Sequence, residues 1–197
     1  MKRQHAFQIF ASAVAAVQPE ILLQQYIYVN KDCIVINGQA FSSSKKIYVT
    51  GAGKAAAAMA AAIEKILGNK ITAGIVTTKY GHSLSLSHIK IIESAHPVPD
   101  ENGVHAVNKT LELLQQVTKD DLLICLFSGG ASALWCDLPP GITLHAMQAI
   151  TNLLIKSGAA IHEINTVRKH ISIIKGGQLI HYCNRAAVFS FIISDVV

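Results

Sequence analysis

The sequence predicts an α/β chain in which a mainly parallel β-sheet lies between two layers of helices. Three observations carry this. Short apolar, β-branched segments alternate with helical patterns, the turns leaving those segments are rich in glycine, and no internal repeat or low-complexity tract breaks the alternation. Strands buried on both faces read as continuous apolar runs, and parallel neighbours need helical crossovers.

Composition agrees. The 197 residues are 51% apolar and only 15% charged, against roughly 25% charged in an ordinary soluble domain. Such a chain can bury a sizeable core and is not disordered. A spanning helix needs about 20 consecutive apolar residues. The longest run here is Ala55 to Ile63, and Ala186 to Ile193 is broken by Ser190, so no membrane span is expected. Lys and Arg number 17 against 12 acids, a surplus of +5, with nine histidines besides. The cations are dispersed and the few aromatics do not interleave with them. That points to an anionic small molecule, not to nucleic acid. Cys33, Cys125, Cys136 and Cys183 show neither a CxxC pair nor the spacing of a secreted framework. A reduced, cytoplasmic chain is expected.

The N-terminus imitates a secretory leader, with Lys2-Arg3 ahead of an apolar stretch. Ala6, Ile9, Phe10, Ala13, Val14 and Val17 nevertheless share one helical face, opposite Gln4, Gln8 and Ser12. A docked amphipathic helix is the better reading. Pro19 opens a second helix to about Tyr28, and a loop follows through Asn37-Gly38 and Ser42–Ser44. Residues 1–45 are thus expected as a helical segment docking on the domain. Ile47–Thr50 is a strand, Lys54 to Leu67 a helix closed by Gly68-Asn69, and Ala73–Thr78 and Lys90–Glu93 are further strands. Pro97 and Pro99 make a rigid link, and Asp100 caps a helix of about 101–117. Leu122–Phe127 is a buried strand, in which Cys125 is a small hydrophobe. Thr143 caps a helix ended by Gly158, another spans about 161–171, and Val188–Ile193 is the last strand. Together these make residues 1–197 a Rossmann-like, three-layer α/β/α domain.

Ligands of open α/β sheets sit at the carboxyl ends of strands, where glycine-rich turns feed helix N-termini. Three segments qualify. Gly51-Ala-Gly-Lys54 is not a phosphate-binding P-loop, because Ala55 follows the lysine. It fits G-x-G-x-x-A, but Thr77-Thr78-Lys79 stands where a dinucleotide site needs an acid. Lys54 in the first turn of a helix is disfavoured by the dipole, and an anion there would offset that. An ordinary tight turn with a solvated lysine accounts for the spacing equally well. Ser128-Gly129-Gly130-Ala131-Ser132 could converge its amides on a phosphate, or serve close packing only. Arg168 could grip a carboxylate or phosphate bidentately and Lys175 act as a point charge, although charges on a helix usually face solvent. His96 sits on the proline-braced loop. No His, Cys, Asp or Glu cluster has metal spacing, so no metal ligand is expected.

The ordered set of these segments resembles the class II glycerate kinases, whose members also carry the name hydroxypyruvate reductase. The matching text is Gly51–Met59, Thr78–His82, His96–Glu101, Ser128–Leu134, Ser157–Ala159, Glu163–Asn165, Val167–His170 with Ser172, Lys175–Gly177 and Ser194–Val196. The resemblance implies ATP-dependent phosphorylation of D-glycerate to 2-phosphoglycerate, with Mg²⁺ on the nucleotide. Lys54 and Arg168 would then be catalytic. Gly51, Gly53, His96, Lys175 and the turn of Ser128, Gly129, Gly130, Ala131 and Ser132 would bind substrate or phosphate. Phosphoryl transfer asks for positioning and charge stabilisation, not for a covalent nucleophile. The reductase name fits less well without the acidic partner of the glycine turn.

Two departures stand out. Ala131 replaces the third glycine of the family's turn, at a cost of roughly 1 kcal/mol if that position needs a positive φ. The family also continues past Ser194-Asp-Val196 into a second domain across the active-site cleft, whereas this sequence stops at Val197. A truncated chain with an incomplete site is therefore expected, completed by that C-terminal domain or by a second copy. The alternative is a non-catalytic remnant that binds an anion or a partner chain.

Overall fold

The computed structural model describes residues 2–194. The motif Ser194–Val196 therefore lies mostly outside the described residues. Helix α1 (Lys2–Ala16) and the short α2 (Pro19–Leu23) come first. Three short strands follow, β1 (Ile27–Asn30), β2 (Cys33–Ile36) and β3 (Gln39–Ser42), paired antiparallel in sequence order. The central sheet is built from β4 (Ile47–Ala52), β5 (Ile71–Lys79), β6 (Ile89–Ser94), β7 (Leu122–Ser128) and β8 (Ala187–Ile193). Its order is β6-β5-β4-β7-β8 and every pairing is parallel. Helix α3 (Ala56–Leu67) joins β4 to β5, and α4 (Glu101–Leu114) joins β6 to β7. After β7 come the single turn α5 (Ala131–Leu134), then α6 (Leu144–Lys156) and α7 (Ile161–His170). The expected three-layer α/β domain is this fold.

Alternation along the strands divides the core between the two faces of the sheet. Ile47, Val49, Leu122, Ile124 and Leu126 point to the face covered by α3, where Met59, Ala60 and Ile63 are fully buried. Tyr48, Leu123 and Cys125 point to the opposite face, packed against α4 and the 174–183 segment. The alanines of α3 let the helix approach closely, since Ala56, Ala57 and Ala60 are all buried.

Residues 27–45 differ from the helix and loop expected of them. Asn37 and Gly38 both have positive φ (47° and 77°), the geometry of a two-residue hairpin turn matched to strand twist. They join β2 to β3, and Ile27, Ile34 and Ile36 have no exposed surface. Phe41 meets Phe189 edge-on at 5.5 Å, so the small sheet covers part of the α3 face beside β8. Helix α1 also departs from expectation. It forms, but its apolar residues remain uncovered, with Phe7, Ile9 and Phe10 each at least 66% exposed. A helical apolar stripe supplies a surface for docking; it does not supply the surface to dock on.

Candidate functional site

The carboxyl ends of β4 and β7 meet at backbone distance. A Cβ on Gly51 would stand 1.9 Å from the Leu126 carbonyl oxygen, and one on Gly53 would stand 2.1 Å from Ser128 Oγ. Only glycine allows this approach. The amides beyond it are engaged by protein partners: Gly53 N–H donates to the Thr77 carbonyl (3.1 Å), Lys54 N–H to the Gly129 carbonyl (2.9 Å), and Ala55 N–H to Ser128 Oγ (2.9 Å). Thr78 Oγ1 closes the turn by donating to the Gly53 carbonyl at 3.2 Å. The two glycine-rich turns are thereby one braced unit, from which the Lys54 side chain projects.

Gly130 occupies the left-handed region (φ 87°) at the head of α5, while Ala131 lies inside the helix and has no positive φ. The third glycine of the family's turn is therefore dispensable for backbone strain. A Cβ on Gly130 would fall 3.0 Å from both Cδ2 and Nε2 of His96 and 3.5 Å from Cε of Lys54. Two side chains from different loops thus converge on one bare backbone position. His96 reaches it from the loop after β6, whose His96–Pro97 bond is cis. Its pKa is lowered, first by burial and then by the positive charges of Lys54, Lys79 and Arg168. A histidine held below its ordinary value near 6.5 is neutral at pH 7, able to donate and accept hydrogen bonds. Arg168, half-buried on α7, has its own pKa lowered by burial, yet guanidinium stays charged in proteins.

Lys175 is placed differently. Its Nζ lies 2.5 Å from Oδ1 of Asp137, a carboxylate that also accepts from Ser172 Oγ (2.9 Å) and from Ile173 N–H (2.5 Å). Asp137 is 2% exposed. Lys175 therefore offsets a buried charge and ties the 172–175 segment to the end of α5. Neither Asp137 nor Lys79 was singled out from the sequence. The signal for Asp137 was a lone acid in the apolar stretch Leu134–Leu138, since a buried carboxylate demands a partner. Lys79 lies inside the matching segment Thr78–His82 but has no role assigned there, because only the sheet register brings the end of β5 near His96.

Among the described residues no three His, Cys, Asp or Glu side chains gather as a metal site. The charged groups bearing on His96 are cationic. The donor set of the described residues does not fit Mg²⁺. Among those residues, too, no helix is long and apolar enough to cross a membrane.

A parallel α/β sheet with cations, a neutral histidine and a glycine turn gathered at its carboxyl edge defines a domain suited to binding phosphate or carboxylate. The chain belongs to the DUF4147 family, whose model, described as a domain of unknown function, matches residues 5–197. It is 42% identical over 196 residues to the glycerate 2-kinase of Pyrococcus horikoshii, covering 99% of this chain and 44% of that protein. An Agrobacterium vitis protein named, provisionally, a hydroxypyruvate reductase is 40% identical over 194 residues, covering 98% and 42%. The crystal structure of a Thermotoga maritima glycerate kinase superposes with a TM-score of 0.81 at 36% identity, covering 97% of this chain and 44% of that one. The chain thus spans less than half the length of the relatives it matches.

Proposed function

We propose that this chain is the substrate- and phosphate-binding portion of a glycerate 2-kinase, which transfers the γ-phosphoryl group of ATP to the C2 hydroxyl of D-glycerate. The observation that carries the reading is the convergence of Lys54 and His96 on Gly130, with Arg168 and Lys79 charging the same edge. In the reaction the hydroxyl oxygen bonds to the γ-phosphorus, the bond to the β-phosphate oxygen breaks, and the hydroxyl proton is released. What the protein must supply is orientation and positive charge, and this edge supplies both. Lys54 is the group that orients the transferring phosphoryl, and Arg168 adds a forked donor for phosphate or carboxylate. His96, being neutral, offers a hydrogen bond without adding to the repulsion among the cations. The bare backbone at Gly130 leaves room for an oxygen between them. Lys175 acts through Asp137 and not as a free charge. Any Mg²⁺ belongs to the nucleotide's phosphates.

The names of the relatives divide between kinase and reductase, and two features favour the kinase. The space at Gly51 and Gly53 is filled by the strand of Leu126 and Ser128, and β5 ends in Thr77-Thr78-Lys79 where a dinucleotide ribose would need an acid. Coupled ADP release is the test, with the chain alone and joined to the remainder of the Thermotoga maritima relative. The joined protein should release ADP only with D-glycerate, and Lys54→Met should cut kcat by about 10²–10³. Oxidation of NADH with hydroxypyruvate, or no turnover in the joined protein, would overturn the proposal.

A further inference from the structure

A cavity of about 600 Å³ opens on the α4 face of the sheet and shares Arg168 with the cation cluster. Phe127 of β7 and Val188 and Ser190 of β8 form its floor on the sheet, and Leu179 and Trp135 belong to its walls. Phe127 and Trp135 stand edge to face, centroids 5.6 Å apart at 81°. The indole N–H of Trp135 donates to Thr77 Oγ1 at 3.0 Å, which fixes the wall. The walls are mostly apolar, and the volume lies within the range of about 300–1,000 Å³ common for small-molecule sites. Arg168 and Ser132 also line it. Ser132 follows directly on Gly130 and Ala131, and the charge of Arg168 reaches His96. The compartment therefore combines aromatic, apolar walls with cationic groups, and its lining is continuous with the 128–132 turn.

We infer that this cavity receives the base and ribose of a purine nucleotide, with its phosphates directed to Arg168 and the 128–132 turn. The inference rests on the kinase reading and places the donor within it. The ligand must be planar and apolar at one end and anionic at the other. A small sugar acid would leave the aromatic walls uncovered, and free phosphate would not enter them. A purine offers a flat face to Phe127 and Trp135 and a polar rim to the Ser190 hydroxyl and the Asn165 amide.

Trp135 is the chain's single tryptophan, so its fluorescence reports on this cavity alone. ADP should quench or shift that emission saturably, and tripolyphosphate and D-glycerate should bind more weakly or leave it unchanged. Ser190→Phe, which fills the floor from the edge strand, should weaken ADP at least tenfold while tripolyphosphate affinity stays within twofold. Val188→Phe serves the same purpose if the first variant fails to fold. Equal ADP affinity in parent and filled variant, or ADP binding no tighter than tripolyphosphate, would overturn the cavity assignment and leave the kinase reading standing. A response to NADH with none to ADP, or no binding of ADP, tripolyphosphate or D-glycerate, would overturn both.

Discussion

His96 links the electrostatics of the site to stability. Its folded-state pKa lies below the ordinary value near 6.5, because burial and the charges of Lys54, Lys79 and Arg168 disfavour the imidazolium. The unfolded chain therefore binds the proton more readily as pH falls. Stability is fully present above about pH 6.5 and declines as pH falls below it, until the folded-state pKa is passed. Urea unfolding between pH 5 and 8 should show that decline, and His96→Gln should flatten it. An anion held by the same cations reverses the field, so inorganic phosphate should raise the His96 pKa in an NMR titration. Gly130→Ala should lower stability by about 1–2 kcal/mol through its left-handed backbone and displace the imidazole it touches. Phosphate binding would fall with it, as calorimetry would show. At Lys175 the consequence is structural. Lys175→Met leaves Asp137 buried beside two remaining hydrogen bonds and should cost about 3 kcal/mol or more in chemical denaturation.

Among the elements, those with strong local signals formed where the sequence places them. Asp100 caps α4 by accepting from Gly103 N–H at 2.9 Å, and Thr143 caps α6 by accepting from Ala146 N–H at 3.1 Å. Asp100 has a second duty. Its other oxygen accepts from the Tyr80 hydroxyl at 2.6 Å, the main cause of the raised pKa of Tyr80. Asp100→Ala should cost about 1–2 kcal/mol and return the Tyr80 phenol toward its ordinary value, readable by ultraviolet titration. Strands β4 and β7 were legible because burial on both faces makes them apolar almost throughout, and β5, β6 and β8 because β-branched and aromatic residues dominate them. The small sheet was hidden because β1 to β3 are four residues each and only partly buried, so period-2 alternation had no length in which to show. Asn37-Gly38 between Cys33–Ile36 and Gln39–Ser42 was its one local signature. In the candidate site the glycine turns and Lys54 could be read from spacing. The convergence of His96 with Lys54, and the pairing of Lys175 with Asp137, join residues 38 or more positions apart, and only the topology creates them.

Across the whole molecule, the low charge content has two origins. One is a parallel sheet whose central strands β4 and β7 are covered on both faces. The other is apolar surface left open on α1, α6 and α7, where Phe7, Leu153 and Ile161 are more than 60% exposed. The thiols report how tightly the rest is closed. Burial pushes Cys125 up to about 12 and Cys136 up to about 11, and raises Cys183 as well. Cys33, partly accessible on β2, should be the single thiol that reacts rapidly with a disulfide reagent under native conditions. The other three should follow only at the rate of unfolding. The contact of Gly51 with Leu126, finally, sets a limit on how this sequence can vary. A side chain at Gly51 collides with backbone, which no second substitution can shrink. In a saturation library every replacement there should be lost, with no compensating change elsewhere in the chain. At Gly53 the obstructing atoms include a hydroxyl, but the Ser128 backbone nitrogen and carbonyl oxygen also stand 2.7 Å from where the Cβ would be. The joint between β4 and β7 is thus a point of near-zero mutational tolerance, set by backbone and not by any side chain that could be exchanged.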